Sequence, residues 1–359
     1  MSALEKLALE RRVIICAGPG GVGKTTTAAA IALHAARLGR RACVVTIDPA
    51  KRLADALGLE DLTNEAAAVE GASVQGDTGA GDTGPGGGGL WALMLDTKST
   101  FDEVVRRNAA SPEQAEAILA NRLYRNISGA LGGTQEYMAM EKLYELYQSG
   151  RFDLIVVDTP PTRHALDFLD APGRLLRFLN NRIFRLLMMP TRASLRAVGV
   201  ATQMLLRTIS KVVGGAMVSD AVAFFTAFEG MEQGFRDRAA LVEHLLSDEG
   251  TAFVVVSSPR RDATAEAVFF ADRLRESSGR VEALVVNRMF PSFGPVPDGL
   301  AGALAENLEQ LQNVAGREES HVEELAQRLP GAPVVRVPFL ADDVHDLHGL
   351  TEIARWMFA

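Results

Sequence analysis

Gly18-Pro19-Gly20-Gly21-Val22-Gly23-Lys24-Thr25 is the stretch that decides the fold of this 359-residue chain. It reads G-x-x-x-x-G-K-T, a complete phosphate-binding loop. Glycines let backbone N–H groups turn inward around phosphate oxygens. A lysine at Lys24 reaches the β- and γ-phosphates, and the Thr25 hydroxyl is placed to ligate Mg2+. A Gly-rich turn can match such a pattern by chance, so the flanks matter. Residues 13–17 form a short apolar run suited to a buried strand. Residues 25–38 are Ala-rich, lack Pro and Gly, and predict a helix that Gly39 stops. Strand, loop and helix occur in the required order, which puts the phosphates on a helix N-terminus. Gly18, Gly20, Gly21, Val22, Gly23, Lys24, Thr25 and Thr26 are the expected nucleotide-binding residues.

Further apolar runs follow at 42–47, 90–95, 154–157, 253–257, 284–287 and 334–337. Continuous Val/Ile/Leu runs separated by helical patterns predict a doubly wound α/β fold with a mainly parallel sheet covered on both faces. The site then belongs at the carboxyl ends of the strands. Two stretches depart from this rhythm. Residues 64–89 are rich in Gly, Ala, Asp and Thr and read as a flexible Gly-rich insert. Residues 101–150 and 162–245 read as a helical subdomain inserted in a single domain spanning 1–359.

Composition narrows the function. A net charge of −8 disfavours general nucleic-acid binding. The two cysteines, Cys16 and Cys43, fall in predicted core strands and form no C-x-x-C, so a zinc or redox pair is not expected. The N-terminus lacks the uninterrupted apolar core of a signal peptide, and no apolar run is long enough to span a bilayer. A cytoplasmic location is expected.

Two carboxylates complete the nucleotide reading. Asp48, in Thr46-Ile47-Asp48-Pro49-Ala50-Lys51-Arg52, follows the second strand. There it can orient or deprotonate an attacking water. Asp158 follows four apolar residues, opens Asp158-Thr159-Pro160-Pro161-Thr162-Arg163-His164, and is expected to hold Mg2+. The expected ligands are therefore ATP and Mg2+, with Lys24 and Asp48 as catalytic groups and Thr25 and Asp158 on the metal.

Together these segments resemble the ArsA family, which includes the arsenical pump ATPase and the Get-pathway ATPase that targets tail-anchored proteins. Asp48 to Leu53 follow that family's D-P-A-H-[NS]-L in part. Asp158 to His164 follow its D-T-A-P-T-G-H with two changes. Leu95-Asp96-Thr97-Lys98 resembles its L-D-P-x. Asn287, in Val286-Asn287-Arg288, resembles its adenine-side asparagine, and Pro338, in Val337-Pro338-Phe339-Leu340, its loop over the base. The runs 133–142 and 167–172 look most like the paired actinobacterial ArsA-like ATPases. The resemblance implies a P-loop NTPase of the deviant-Walker (SIMIBI) type. It also implies an ATP-driven switch between closed and open dimers that moves the helical subdomain.

The departures are as informative. The family's loop reads K-G-G-x-G-K-[ST], and its first lysine crosses to the partner's nucleotide. Here that position is Pro19, which has neither charge nor N–H. A partner subunit carrying the lysine, a substitute cation (Lys51, Arg52 or Arg163), or slow hydrolysis are the three outcomes. The Get-type zinc C-x-x-C and the thiols of an arsenite site are missing, which disfavours metalloid pumping. His345 and His348 near Asp342, Asp343 and Asp346 read as a solvated surface. Between Ala171 and Ser219 there is no acid, and arginines alternate with Leu, Phe and Met. That segment suits a packed helical cap, a groove for a hydrophobic client helix, or a peripheral contact with anionic lipid. Partners are thus a homodimer or a heterodimer with a lysine-bearing paralogue, and a hydrophobic client. The alternatives are a MinD/ParA-like positioning ATPase and a nucleotide-holding regulatory subunit.

Overall fold

The structure, a computed structural model, describes residues 1–48, 50–72, 87–122, 124–125, 134–180, 220, 223–224, 226–228, 230–276, 279–295, 297 and 302–359. Their side chains are described except at 134, 162–165, 178 and 179. The chain divides into two compact units. One comprises Met1–Leu95, Glu145–Leu166 and Leu245–Ala359, the other Asp96–Tyr144 and Asp167–His244.

The first unit is a sheet wrapped in helices. Its strands are β1 (Val13–Ala17), β2 (Arg41–Thr46), β3 (Ala67–Ala68), β4 (Gly89–Met94), β5 (Leu154–Asp158), β6 (Thr251–Ser257), β7 (Val281–Met289) and β8 (Val334–Pro338). Their order is β3-β4-β2-β5-β1-β6-β7-β8. Each neighbouring pair is parallel except β3 with β4. All residues of β1, β5 and β6 are buried, as their unbroken apolar runs require of strands covered on both faces. Cys16 and Cys43 are free and buried in this sheet.

Helix α2 (Lys24–Arg37) follows the phosphate loop. Its buried face is mostly alanine: Ala28, Ala29, Ala30, Ala32, Ala35 and Ala36. Small side chains let a helix lie close on a sheet and accept a second helix on its other side. That second helix is α11 (Leu347–Phe358), whose Ile353 and Met357 share the core with α2. The Phe358 ring stacks on His34 at 3.7 Å. Other described helices that lie wholly in this unit are α1 (Ala3–Glu10), α3 (Arg52–Leu57), α9 (Arg261–Glu276) and α10 (Ala303–Arg328).

One element lies within the stretch expected to be a flexible insert. Ala67 and Ala68 pair antiparallel with Ala92 and Trp91, and Val69 and Ala72 are buried in the core. Backbone bonding sets this edge strand, with Val69 N–H donating to Leu90 O at 2.8 Å, so two alanines suffice. Gly89, at the other end of the stretch, already belongs to β4. Residues 73–86 lie outside the described ones.

The second unit is helical. It holds α4 (Thr97–Asn108) and α5 (Pro112–Leu119), capped by Asp96 and Ser111 side chains that accept N–H groups of the first turn. It also holds parts of α6 (Thr134–Ser149), α7 (Thr162–Asn180) and α8 (Glu232–Ser247). Val105, Ile118, Tyr124, Phe224, Phe228 and Phe235 lie in one core. The buried Glu141 carboxylate accepts from Tyr137 Oη at 2.5 Å and Arg238 Nε at 2.8 Å, so its charge is paired. Burial and that carboxylate push the Tyr137 phenol pKa up. Most of the acid-free segment, 181–219, lies outside the described residues. No described helix is long and apolar enough to cross a membrane.

Candidate nucleotide site

The phosphate loop joins β1, near the middle of the sheet, to α2. Two of its glycines are fixed by close approach. A Cβ on Gly18 would overlap the carbonyl oxygen of Val256 in β6. Gly23 has φ 93°, and a Cβ there would strike Asn287 Nδ2. Gly23 is also the N-cap of α2 and brings no side-chain cap. The first N–H groups of α2 are therefore left to an anion, with the helix dipole behind them.

Lys24 is buried, and its Nζ donates to Pro19 O at 2.8 Å. Burial lowers its pKa, while Asp158 and Asp48 pull it back up. Asp158 lies at the end of β5, in register with Cys16 of β1 and Thr46 of β2. Its Oδ2 accepts from Thr25 Oγ1 at 2.7 Å and Thr46 Oγ1 at 2.9 Å. Burial pushes the Asp158 carboxyl up to about 6, against the two hydroxyls and Lys24, which lower it. Asp158 Oδ1 is buried and has no hydrogen-bond partner among the described residues. A carboxylate with one satisfied oxygen and one orphan, beside a threonine hydroxyl, is an oxygen-donor set that suits Mg2+, directly or through water.

Asp48 opens the loop after β2. Its Oδ1 accepts from Ala50 N–H at 3.0 Å, and its Oδ2 lies 3.3 Å from Arg52 Nη1. Its own N–H donates to Thr46 Oγ1 at 3.2 Å. Gly20, Gly21, Gly23, Lys24, Thr25, Thr26, Asp48 and Asp158 line one cavity of about 300 Å³. Asn287 and Pro338 line an adjoining cavity of about 220 Å³ with Gly23, Thr26, Phe339 and Leu340. Asn287 Nδ2 donates to Val22 O at 3.0 Å, which ties β7 to the loop.

The proposed substitute cations are differently placed. Lys51 lies 3.6 Å from Asp61, and Arg52 pairs with Asp48. Arg163 is in α7, and its side chain is outside the described ones. Asp346 caps α11, accepting from Gly349 N–H at 2.8 Å. Among the described residues no cluster of His, Cys, Asp and Glu could hold a metal ion by itself.

Two residues gain a place that the sequence reading gave them no role for. Thr46 bridges Asp158 and the Asp48 backbone. The signal was the period of two: Thr46 and Asp48 fall two apart at a strand end. Thr159 Oγ1 donates to Cys16 O at 2.8 Å, joining the end of β5 to β1.

Comparison with known proteins gives the family. Residues 11–359 match the anion-transporting ATPase family, ArsA_ATPase. A protein named arsenical pump-driving ATPase 1 from Aquifex aeolicus is 23% identical over 358 residues, covering 97% of this chain and 78% of its own. An uncharacterized protein of Streptomyces coelicolor is 31% identical over 311 residues, covering 85% and 69%. ATPase GET3 of Malassezia globosa is 30% identical over 166 residues, covering 46% and 44%. With a phosphate loop between β1 and α2 of a mainly parallel sheet and a family match over nearly its whole length, the chain belongs to the ArsA family of ATPases, a P-loop NTPase in fold.

Proposed function

We propose that the chain is a Mg2+-dependent ATP-hydrolysing switch of the ArsA/Get type. The observation that carries this is the meeting of Lys24, Thr25, Asp48 and Asp158 in one cavity at the strand ends. Lys24 leaves the Pro19 carbonyl for the β- and γ-phosphates, and the uncapped N-terminus of α2 receives the remaining charge. Thr25 and Asp158 hold Mg2+, which supplies neutralisation of phosphate charge when bound. Thr46 fixes the Asp158 carboxylate. Asp48 orients the attacking water once its bonds to Ala50 and Arg52 are exchanged for that water. Asn287 and Pro338 flank the adenine.

The switch acts in the cytoplasm as a dimer, with itself or with a lysine-bearing paralogue. Its helical unit, which includes the acid-free segment, meets a hydrophobic client helix. A second reading, a regulatory subunit that holds nucleotide with little turnover, draws support from Pro19 and from the Arg52–Asp48 pair. Steady-state hydrolysis by the purified chain with and without such a paralogue separates the two: turnover that Asp48→Asn in this chain removes supports the switch, and turnover indifferent to that change supports the regulatory subunit. Lys24→Ala is expected to abolish ATP binding and turnover. Asp48→Asn is expected to keep ATP affinity within about threefold while removing hydrolysis, because only the water-orienting group changes. Equal loss of binding in both variants contradicts these separate roles.

A further inference from the structure

Arg288 is the one non-glycine residue with positive φ among those described, at 61°. A Cβ disfavours that backbone region, so the surroundings must hold it there. It falls where the pairing of β7 with β8 shifts register, between Val286 and Met289. The Arg288 N–H donates to Asn287 Oδ1 at 2.9 Å. Its guanidinium leaves the line of the strand and reaches the phosphate loop, where Nη1 donates to Gly21 O at 3.2 Å. Asn287 holds the next carbonyl of the loop, that of Val22. Two consecutive side chains of β7 thus hold two consecutive loop carbonyls, which leaves loop N–H groups to face the phosphates.

The guanidinium is exposed, permanently charged and planar. Arg288 lines the cavity with Lys24 and Asp158 and the adjoining cavity with Asn287 and Pro338. It also lines a third, of about 340 Å³, with Pro19, Ser258, Arg260 and Phe339. It is the one described residue common to these three. A nucleotide whose phosphates rest on Lys24 must carry its sugar and base past the junction of these cavities. A guanidinium there offers a flat cationic face to a purine and free N–H donors to a ribose.

We propose that Arg288 contacts and orients the nucleoside half of the bound nucleotide, the phosphate loop keeping its shape through Asn287. This rests on reading the site as an ATP site, and the test keeps the two apart. Arg288→Gly removes the side chain and accepts the left-handed backbone, so its thermal melting curve should match the wild type. Full-length protein is titrated calorimetrically with ATP, ADP and inorganic tripolyphosphate in Mg2+. Arg288→Gly should weaken ATP and ADP about tenfold each and leave tripolyphosphate within about twofold. Arg288→Lys, which keeps the charge without the flat face, should recover only part of the loss.

An equal loss for tripolyphosphate overturns the proposal and leaves Arg288 a strut of the loop. A larger loss for ATP than for ADP overturns it in favour of a contact to the terminal phosphate. Unchanged affinities in Arg288→Gly overturn it alone, with the ATP site intact. A wild-type chain that binds no ATP, or binds it as well after Lys24→Ala, overturns the site reading and this proposal with it.

Discussion

Thr46 shows how much of the site is carried by a residue with no motif of its own. Its hydroxyl donates to Asp158 and accepts from the Asp48 N–H, so one oxygen sets both acidic loops. Thr46→Val keeps the shape and removes both bonds. The loss of a hydrogen bond to a buried carboxylate is expected to destabilise the fold by about 1–3 kcal/mol. Turnover should fall at least about tenfold, because Asp48 and Asp158 lose their common anchor. Equilibrium unfolding and steady-state hydrolysis check this, and unchanged turnover would show that the two loops are positioned independently. At this scale the phosphate loop was readable because G-x-x-x-x-G-K-T forces glycine and lysine into fixed places. Arg288 was not readable. Its backbone conformation is one that sequence signals with Gly or Asn, and neighbours in β8 and the loop impose it instead.

Strands and helices were legible where burial on both faces writes an unbroken apolar run, as in β1, β5 and β6. Strand ends moved by a residue or more. Val281 joins β7 by pairing with Phe253 although the apolar run begins later, and Glu282 falls at the register shift before Ala283 pairs with Val254. The Ala67–Ala68 edge strand had no such run and was hidden by its composition. The amino end of β2 is held to β5 by charge. Arg41 N–H, Nε and Nη2 all donate to the Asp153 carboxylate, with Arg41 Nη2 at 2.7 Å from Oδ1. These bonds draw the Asp153 carboxyl below its ordinary value of 3.8. A depressed folded value means stability that is present above the unfolded value and is lost as pH falls through the folded one. Asp153 is 38% exposed, so screening keeps the term to under about 1 kcal/mol. The stability gap between wild type and Asp153→Asn, measured by urea unfolding, should hold from pH 7 to about 5 and shrink as pH falls below the ordinary value of 3.8. A gap that does not shrink on acidification would mean that the charge is not its source.

For the whole molecule, Pro19 is the departure with the widest effect. The resemblance places a charged contact between subunits at that position, and proline cannot make it. The chain alone is therefore expected to hydrolyse ATP slowly. A lysine-bearing ArsA-like paralogue should raise the rate by at least about tenfold, within the range that a cation supplied in trans can give. Stopped-time hydrolysis with the partner titrated in checks this, and fast turnover by the chain alone would refute it. Whole-chain assembly was the least legible level, because pairing of distant strands leaves little local trace.

The tie from Asn287 to Val22 spans 265 positions of the chain, and Gly18 lies against Val256 of the equally late β6. A ribosome releases the phosphate loop early and the strands that shape it late. The nascent chain therefore carries the loop's full sequence long before it has a cradle. A chain cut before Asn287 is therefore expected to gain less stability from ATP than one that carries β6 and β7.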